Sequence, residues 1–148
     1  MSAAQGYGLE KVVAAATRMS LVDGEAGRLV IGGYEAEDLA PKADFEEVAF
    51  LLWNGRLPDP GELEATRFKL AGKRRLGETT IELLRKAAAN RVSVVDALLM
   101  AIPTLRLGHE EDVQEDTALA VAAFPAIVGS YWRLVKGKEP VTPREDLS

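Results

Sequence analysis

The sequence predicts an all-α helical fold with a small β-hairpin near its N-terminus. Apolar residues recur at helical spacing over most of residues 44–137. Hairpin turn chemistry at Asp23-Gly24 separates an extended segment within Val12–Leu21 from a short strand over Arg28–Ile31. The 148 residues are 47% hydrophobic, which is enough to enclose a core. We divide this single domain into a hairpin region at about 8–34, helices at 44–137 and a linker or tail at 138–148.

Composition excludes several kinds of site. The chain has no cysteine, so it has no disulfide scaffold, thiolate nucleophile or cysteine-ligated metal. His109 is its one histidine, so a mechanism that needs two histidines cannot be completed within it. The net charge of −5 disfavours nonspecific nucleic-acid binding. Met1–Glu10 lacks signal-peptide features, and the longest uncharged run, Thr117–Trp132, is shorter than a membrane span. We expect a cytoplasmic protein that binds neither nucleic acid nor membranes.

Capping residues predict where the first two long helices begin. Asp44, with Glu47 three residues later, forms an aspartate version of the capping box, and Gly55 ends that helix. Pro60 suits the first position of a second helix, because its missing N–H would be unbonded there anyway. We expect the second helix to end near Gly77.

Three further helices complete the prediction. One begins at Thr79 and ends near Asn90, and the next is capped by Ser93 and interrupted by Pro103. The last begins in the acidic segment His109–Asp116, where carboxylates suit a helix N-terminus, and runs to about Lys136.

Two of these helices are apolar around most of their surface, namely those within Ser93–Leu107 and Asp116–Lys136. Such helices are buried on most sides, and a small domain has room to enclose only one of them. We therefore predict a homodimer, with a compact monomeric bundle as the alternative. The predicted interface residues are Leu98, Met100, Ile102, Val121, Phe124, Ile127 and Val128.

No motif in the sequence predicts a catalytic, cofactor-binding or metal site in this chain. Gly72-Lys73 lacks the upstream glycine and the following hydroxyl residue of a phosphate-binding loop. His109, Asp112 and Asp116 could share one helix face and hold a metal, but a solvated helix start explains them better. Ser93 with His109 and Asp112 shows no nucleophile-elbow pattern.

An ordered series of motifs closely resembles the N-terminal part of the large domain of bacterial and archaeal citrate synthases and 2-methylcitrate synthases. The motifs are GLEKVVAA (8–15), SLVDGEAGRL (20–29), GYE (33–35), DLA (38–40), FEEVAFLLWNGRLP (45–58), FPAIV (124–128), YWRL (131–134), GKEP (137–140) and DLS (146–148). The resemblance implies the helical large-domain fold of that family. It also implies that the two apolar helices pack across a homodimer axis.

The resemblance further implies an acyltransferase that condenses acetyl-CoA, a substrate and not a bound cofactor, with oxaloacetate or a related 2-oxo acid in the tricarboxylic acid cycle. In that family a histidine polarises the oxaloacetate carbonyl, and an aspartate with a second histidine enolises acetyl-CoA. By the resemblance these residues lie beyond Ser148, so none is assigned here, and we expect a truncated or naturally split chain that is inactive alone.

The matched region departs from the family in three places. The resemblance implies an arginine where this chain has Gly32, a His-Pro-Met at 93–95 and an Arg-Thr at Leu99-Met100. Two hypotheses follow. The chain is one part of a split enzyme, completed by a C-terminal citrate synthase subunit, or it is a non-catalytic homodimerising module that modulates a full-length paralogue. The departures favour the second slightly.

Overall fold

The computed structural model describes residues 17–106 and 112–144, which fall into two compact units divided between Asp59 and Pro60. We describe each unit by itself. The motif at 8–15, the start of the first predicted strand at Val12, the histidine His109 and the motif at 146–148 lie outside the described residues.

The described elements are mostly helical, which confirms the predicted fold class. The strands are β1 (Ser20–Asp23), β2 (Arg28–Ile31) and β3 (Tyr34–Glu35). The helices are α1 (Ala36–Leu39), α2 (Phe45–Asn54), α3 (Pro60–Ala71), α4 (Glu78–Ala89), α5 (Val94–Ala101) and α6 (Val113–Val135), with a 3-10 turn over Ile102–Arg106.

The first unit contains an antiparallel sheet in the order β1-β2-β3, with Leu21 opposite Val30. The predicted turn is closed by Asp23, whose Oδ1 accepts hydrogen bonds from the backbone N–H groups of Glu25 and Ala26 at 3.1 and 3.0 Å. The hairpin prediction is therefore confirmed. The two-residue strand β3 was not predicted, because it is too short to show a periodicity.

Helix α2 has the predicted ends. The backbone N–H of Asp44 donates to Glu47 Oε2 at 2.7 Å, as a capping box requires. Gly55 adopts a φ of 74° and donates its N–H to the Leu51 carbonyl at 2.7 Å, which closes the helix. The Leu51 side chain is fully buried in this unit.

The second unit is held together by a core between α4, α5 and α6. Its buried members are mostly small, which lets the helix backbones approach closely, and they are Leu84, Ala87, Ala97, Ala101, Ala123, Ile127 and Tyr131. A smaller cluster joins α3 to the first half of α6 through Leu70, Ala118 and Ala122. Helix α6 thus contributes to both clusters.

In this unit the observed helix starts lie at or next to the predicted ones, whereas the predicted end of one helix is wrong. Helix α3 begins at Pro60 as predicted, but it stops at Ala71, where Gly72 follows, and not near Gly77. Helix α4 begins one residue earlier than predicted, with Gly77 as its N-cap. Ser93 caps α5 as predicted, since its Oγ accepts from the Asp96 N–H at 3.1 Å.

Helix α6 begins within the predicted acidic segment and ends one residue before the predicted end at Lys136, so this prediction is confirmed. Asp112 caps it by accepting from the N–H groups of Gln114 and Glu115 at 2.9 and 3.1 Å, and it continues for 23 residues to Val135. By length and composition α6 could cross a membrane, a test that the core helices of soluble proteins also pass. Because α6 supplies core residues to both clusters, we read it as a packed helix.

Candidate functional site

An exposed apolar surface, the α5–α6 face, is the most distinctive feature of the second unit. Leu99 on α5 is 66% exposed and Trp132 on α6 is 63% exposed. The face consists of Val95, Leu99 and Met100 on α5 and of Phe124, Val128 and Trp132 on α6, all exposed. Val95 and Leu99 lie on the side of α5 opposite the buried Ala97 and Ala101, so the exposed apolar residues form a stripe on each helix. Exposed apolar stripes mark a binding surface more often than an ordinary part of a monomer's surface.

The spacing of α6 explains how one helix supplies both a core and an exposed apolar surface. Phe124, Val128 and Trp132 recur every four residues and therefore share one side. Ile127 and Tyr131 are buried on the neighbouring side. Residues 117–132, which include this exposed side, contain no charged residue.

Six of the seven predicted interface residues are at least partly exposed in the structure. Met100, Phe124 and Val128 are 41–42% exposed. The other three are partly buried, with Leu98 and Ile102 against the larger core cluster and Val121 against the smaller one. Ile127 is the exception.

Ile127 was placed wrongly, because only 1% of it is exposed and it packs inside the core of its own chain. Val95, Leu99 and Trp132 were not predicted, although they are more exposed than any of the seven predicted interface residues. When a helix carries apolar residues on both of its sides, the periodicity of the sequence does not show which side faces the core. The four-residue recurrence Phe124, Val128, Trp132 was the available signal.

The acidic start of α6 is engaged by cations. Glu115 lies between Lys69 of α3 and Lys73, two residues after that helix ends, at 2.5 Å from each ammonium group. Hydrogen bonds from these two lysines lower the pKa of the Glu115 carboxyl to about 2. Asp116 pairs with Arg106 Nε at 3.0 Å. These contacts anchor the N-terminus of α6 to α3 and to the 3-10 turn.

The metal hypothesis for His109, Asp112 and Asp116 finds no support in the part of the chain that the structure describes. There, no three histidine, cysteine, aspartate or glutamate residues are grouped as metal ligands would be. Asp112 is used as a helix cap and Asp116 in an ion pair. His109 lies outside the described residues.

A groove of about 460 Å³ runs between α4 and α5. Its floor is apolar, formed by Leu83, Ala87, Val92 and Met100. Its rim is polar, formed by Thr79, Glu82, Lys86 and Asn90. Met100 belongs both to this groove and to the α5–α6 face, so the two surfaces are continuous.

The segment after α6 is fastened back onto α4 and α6. Arg85 Nη1 donates to Glu139 Oε1 at 2.8 Å, and the Glu139 carbonyl accepts from Arg133 Nε at 2.6 Å. The hydrogen bond from Arg85 lowers the pKa of the Glu139 carboxyl. The Tyr131 hydroxyl donates to the Val92 carbonyl, which joins α6 to the loop before α5.

Comparison with known proteins gives one consistent result. The family model described as "Citrate synthase, C-terminal domain" matches residues 8–148. The citrate synthase of Haloferax volcanii is 35% identical over an alignment that covers all of this chain and 42% of that protein. A 2-methylcitrate synthase of Mycobacterium tuberculosis is 34% identical over an alignment that covers 95% of this chain and 37% of that protein.

Solved structures agree with the sequence matches. The crystal structure of citrate synthase from Pyrobaculum aerophilum matches with a TM-score of 0.80 and 32% identity, over 95% of this chain and 39% of that one. The chain therefore spans about two fifths of the length of the relatives it matches. Our assignment of this match to the N-terminal part of the large domain stays a prediction. Because the family model covers almost the whole sequence, the chain belongs to the citrate synthase family.

Proposed function

We propose that the chain is a citrate synthase-like module that homodimerises through the α5–α6 face and takes part in catalysis together with the rest of the family's length, supplied by the same or a second polypeptide. The observation that carries the proposal is the family match over residues 8–148 to proteins of which this chain spans about two fifths. In this reading the completed enzyme condenses acetyl-CoA with oxaloacetate or a related 2-oxo acid. The catalytic histidines and aspartate come from that remaining part.

The dimer part of the proposal is supported by the cost of leaving the α5–α6 face in water. Fully burying one Leu, Val or Phe side chain is worth roughly 1.5–3 kcal/mol, and six large apolar residues contribute to this face. A second copy would bury them in a symmetric contact.

The alternative is a non-catalytic homodimerising module that binds a full-length paralogue through the same face. The departures from the family at Gly32, at 93–95 and at Leu99-Met100 favour this alternative. At Leu99-Met100, exposed apolar residues stand where the resemblance implies a polar pair. Both readings place the protein in the cytoplasm. Cell fractionation with an antibody to the chain tests that location.

The deciding experiment is native purification from the source under mild conditions, with intact mass analysis of the chain and of what co-elutes. We expect a stoichiometric partner of the same family that carries the missing histidines. Added back to the purified chain, this partner should produce oxaloacetate-dependent release of free CoA thiol from acetyl-CoA. A dimer of the 16.0 kDa chain that co-elutes with no such partner would favour the non-catalytic alternative.

The chain alone is the matched control for that assay. We expect no oxaloacetate-dependent thiol release from it at any concentration. Release by the chain alone would overturn the proposal that catalysis needs more than this chain. Light scattering that gave the mass of one chain would overturn the homodimer.

A further inference from the structure

Helix α2 ends in the dipeptide Asn54-Gly55, and Asn54 is the only asparagine in the sequence that is followed by glycine. Asn54 is the last residue of the helix, and Gly55 follows it with a φ of 74°. Both residues are exposed. Among the described residues, nothing beyond the chain neighbours of Gly55 lies within 4 Å of the place where its Cβ would stand. The Gly55 nitrogen is therefore shielded neither by a side chain of its own nor by a packed neighbour.

Two hydrogen bonds hold this end of α2 closed. The Gly55 N–H donates to the Leu51 carbonyl at 2.7 Å, and Asn54 Nδ2 donates to the Phe50 carbonyl at 3.0 Å. Deamidation of an asparagine requires the next backbone nitrogen to lose its proton and to approach the side-chain Cγ. Both hydrogen bonds oppose this approach, so the reaction is blocked while the helix end is closed and becomes possible when it opens locally.

Asn90 makes the same side-chain contact at the end of α4, but no glycine follows it. Its Nδ2 donates to the Lys86 carbonyl at 2.8 Å, and the residue is exposed. Arg91 also has a positive φ, of 52°. The side chain of Arg91 crowds its own backbone nitrogen, whereas Gly55 has no side chain. Asn90 is therefore a matched internal control for Asn54.

We propose that Asn54 is a site of spontaneous deamidation, at a rate set by the opening of the C-terminal end of α2. In the open state the Gly55 nitrogen, deprotonated by hydroxide, attacks Asn54 Cγ. The Cγ–Nδ2 bond breaks, and Nδ2 takes up a proton and leaves as ammonia. Water then opens the succinimide ring, at Cγ to give aspartate or at the main-chain carbonyl to give isoaspartate. The reaction uses only this chain and water, so it goes beyond the proposed function and does not depend on it.

Either product weakens the end of α2. A carboxylate at residue 54 has no N–H to donate to the Phe50 carbonyl, so two acceptors would face each other. Its negative charge also lies at the C-terminal end of the helix, where the helix dipole disfavours it. Isoaspartate further adds a methylene to the main chain before the Gly55 N–H, which displaces that donor from the Leu51 carbonyl. The modified chain therefore cannot close this helix end as before.

The test follows the purified chain during incubation in mildly alkaline buffer and in concentrated urea. Peptide mapping by mass spectrometry measures the gain in mass at each asparagine when NH2 is replaced by OH, and it separates aspartate from isoaspartate. We expect Asn54 to give both products, at least about tenfold faster in urea than in buffer. Asn90 should convert far more slowly than Asn54 in urea.

Three outcomes of this incubation would overturn the proposal. Equal rates at Asn54 in buffer and in urea would show that the opening of α2 does not control the reaction. Equal rates at Asn54 and Asn90 in urea would show that the glycine does not matter. Aspartate as the sole product would show direct hydrolysis of the side chain without ring closure.

Two variants change the helix end and the following residue separately. Leu51→Val loosens a fully buried side chain and should raise the rate at Asn54 in buffer but not in urea. Leu84→Val, at an equally buried leucine of the second unit, is its control and should leave the rate at Asn54 unchanged. Arg91→Gly places a glycine after Asn90 without backbone strain, because Arg91 already has a positive φ. In urea this variant should convert Asn90 about as fast as Asn54.

The variants keep the proposal falsifiable even if one of them unfolds. If Leu51→Val unfolds the first unit, the rate at Asn54 in buffer should rise to the rate in urea. A lower urea midpoint in this variant with an unchanged rate in buffer would contradict control by the opening of α2. An Asn90 that stays unconverted in the Arg91→Gly variant would contradict the role of the glycine.

Discussion

Gly32 lies so close to Leu51 that a Cβ atom on residue 32 would be 2.8 Å from the Leu51 Cγ. The backbone of Gly32 also has a φ of 57°, a conformation that other residues rarely adopt. Leu51 is fully buried at this point. The arginine that the family resemblance implies here would meet Leu51 with its first side-chain carbon. This departure is therefore built into the packing of the first unit.

Gly32→Ala should destabilise the first unit by about 2–4 kcal/mol, from the cost of the left-handed backbone and of overpacking. Gly33→Ala is the matched control, because Gly33 has a φ of 92° but no atom within 4 Å of its missing Cβ. The control should show the backbone cost alone. Urea unfolding measures both, and equal losses would contradict the clash with Leu51.

Aspartate substitutions on α6 should separate the core from the exposed face. Ile127→Asp buries a charge in the core, and we expect it to abolish the cooperative unfolding transition seen by circular dichroism. Phe124→Asp should keep the helical signal but convert the dimer to a monomer in light scattering. Phe68→Asp is the control, since Phe68 is 84% exposed on α3 away from the α5–α6 face, and it should change neither signal.

The ion pairs of Glu115 predict a loss of stability in acid. The pKa of Glu115 is lowered to about 2 in the folded chain, from an ordinary value of 4.5. The folded state thus binds the proton less tightly than the unfolded state, so the contribution is fully present above about pH 4.5 and disappears as the pH falls towards 2.

Glu115→Gln measures this contribution directly. We expect the difference in unfolding free energy between the original chain and this variant to be largest near neutral pH and to shrink steadily below pH 4.5. The side chain is exposed, so high salt should reduce the difference as well. A difference that is constant from pH 7 to pH 3 would contradict the ion pairs with Lys69 and Lys73.

Tyr131→Phe should cost about 1–2 kcal/mol of unfolding free energy, because it leaves the Val92 carbonyl without its hydroxyl donor. Tyr131 is 4% exposed, so water cannot easily replace the lost bond. Tyr34→Phe is the control, because Tyr34 is 40% exposed, and it should be nearly neutral. Equal effects in thermal unfolding would show that the Tyr131 hydrogen bond adds nothing.

The features predicted correctly from the sequence are those that depend on interactions between residues close together in the chain. Asp44, Pro60 and Ser93 mark helix starts because each satisfies or omits a backbone N–H, whatever the rest of the chain does. The Asp23 turn is local in the same way. These residues needed no knowledge of packing.

The misplaced features depend on contacts between distant residues. Ile127 and Phe124 are both apolar and three positions apart, and only the position of α4 and α5 decides which of them is buried. The end of α3 at Ala71 similarly accompanies the pairing of Lys73 with Glu115, 42 positions later. The α4–α5 groove is lined by α4 together with Val92 and Met100, so it had no signature in the sequence.

The hydrogen bond between Tyr131 and the Val92 carbonyl also bears on how the chain is made. Its two ends are 39 positions apart, and synthesis at about 5–20 residues per second separates them by roughly 2–8 s on the ribosome. During that interval α4 and α5 have emerged without the helix that covers them. Until α6 is made, Leu84 and Ala97 lack the helix that covers them, so the nascent chain exposes apolar surface of the kind that chaperones bind.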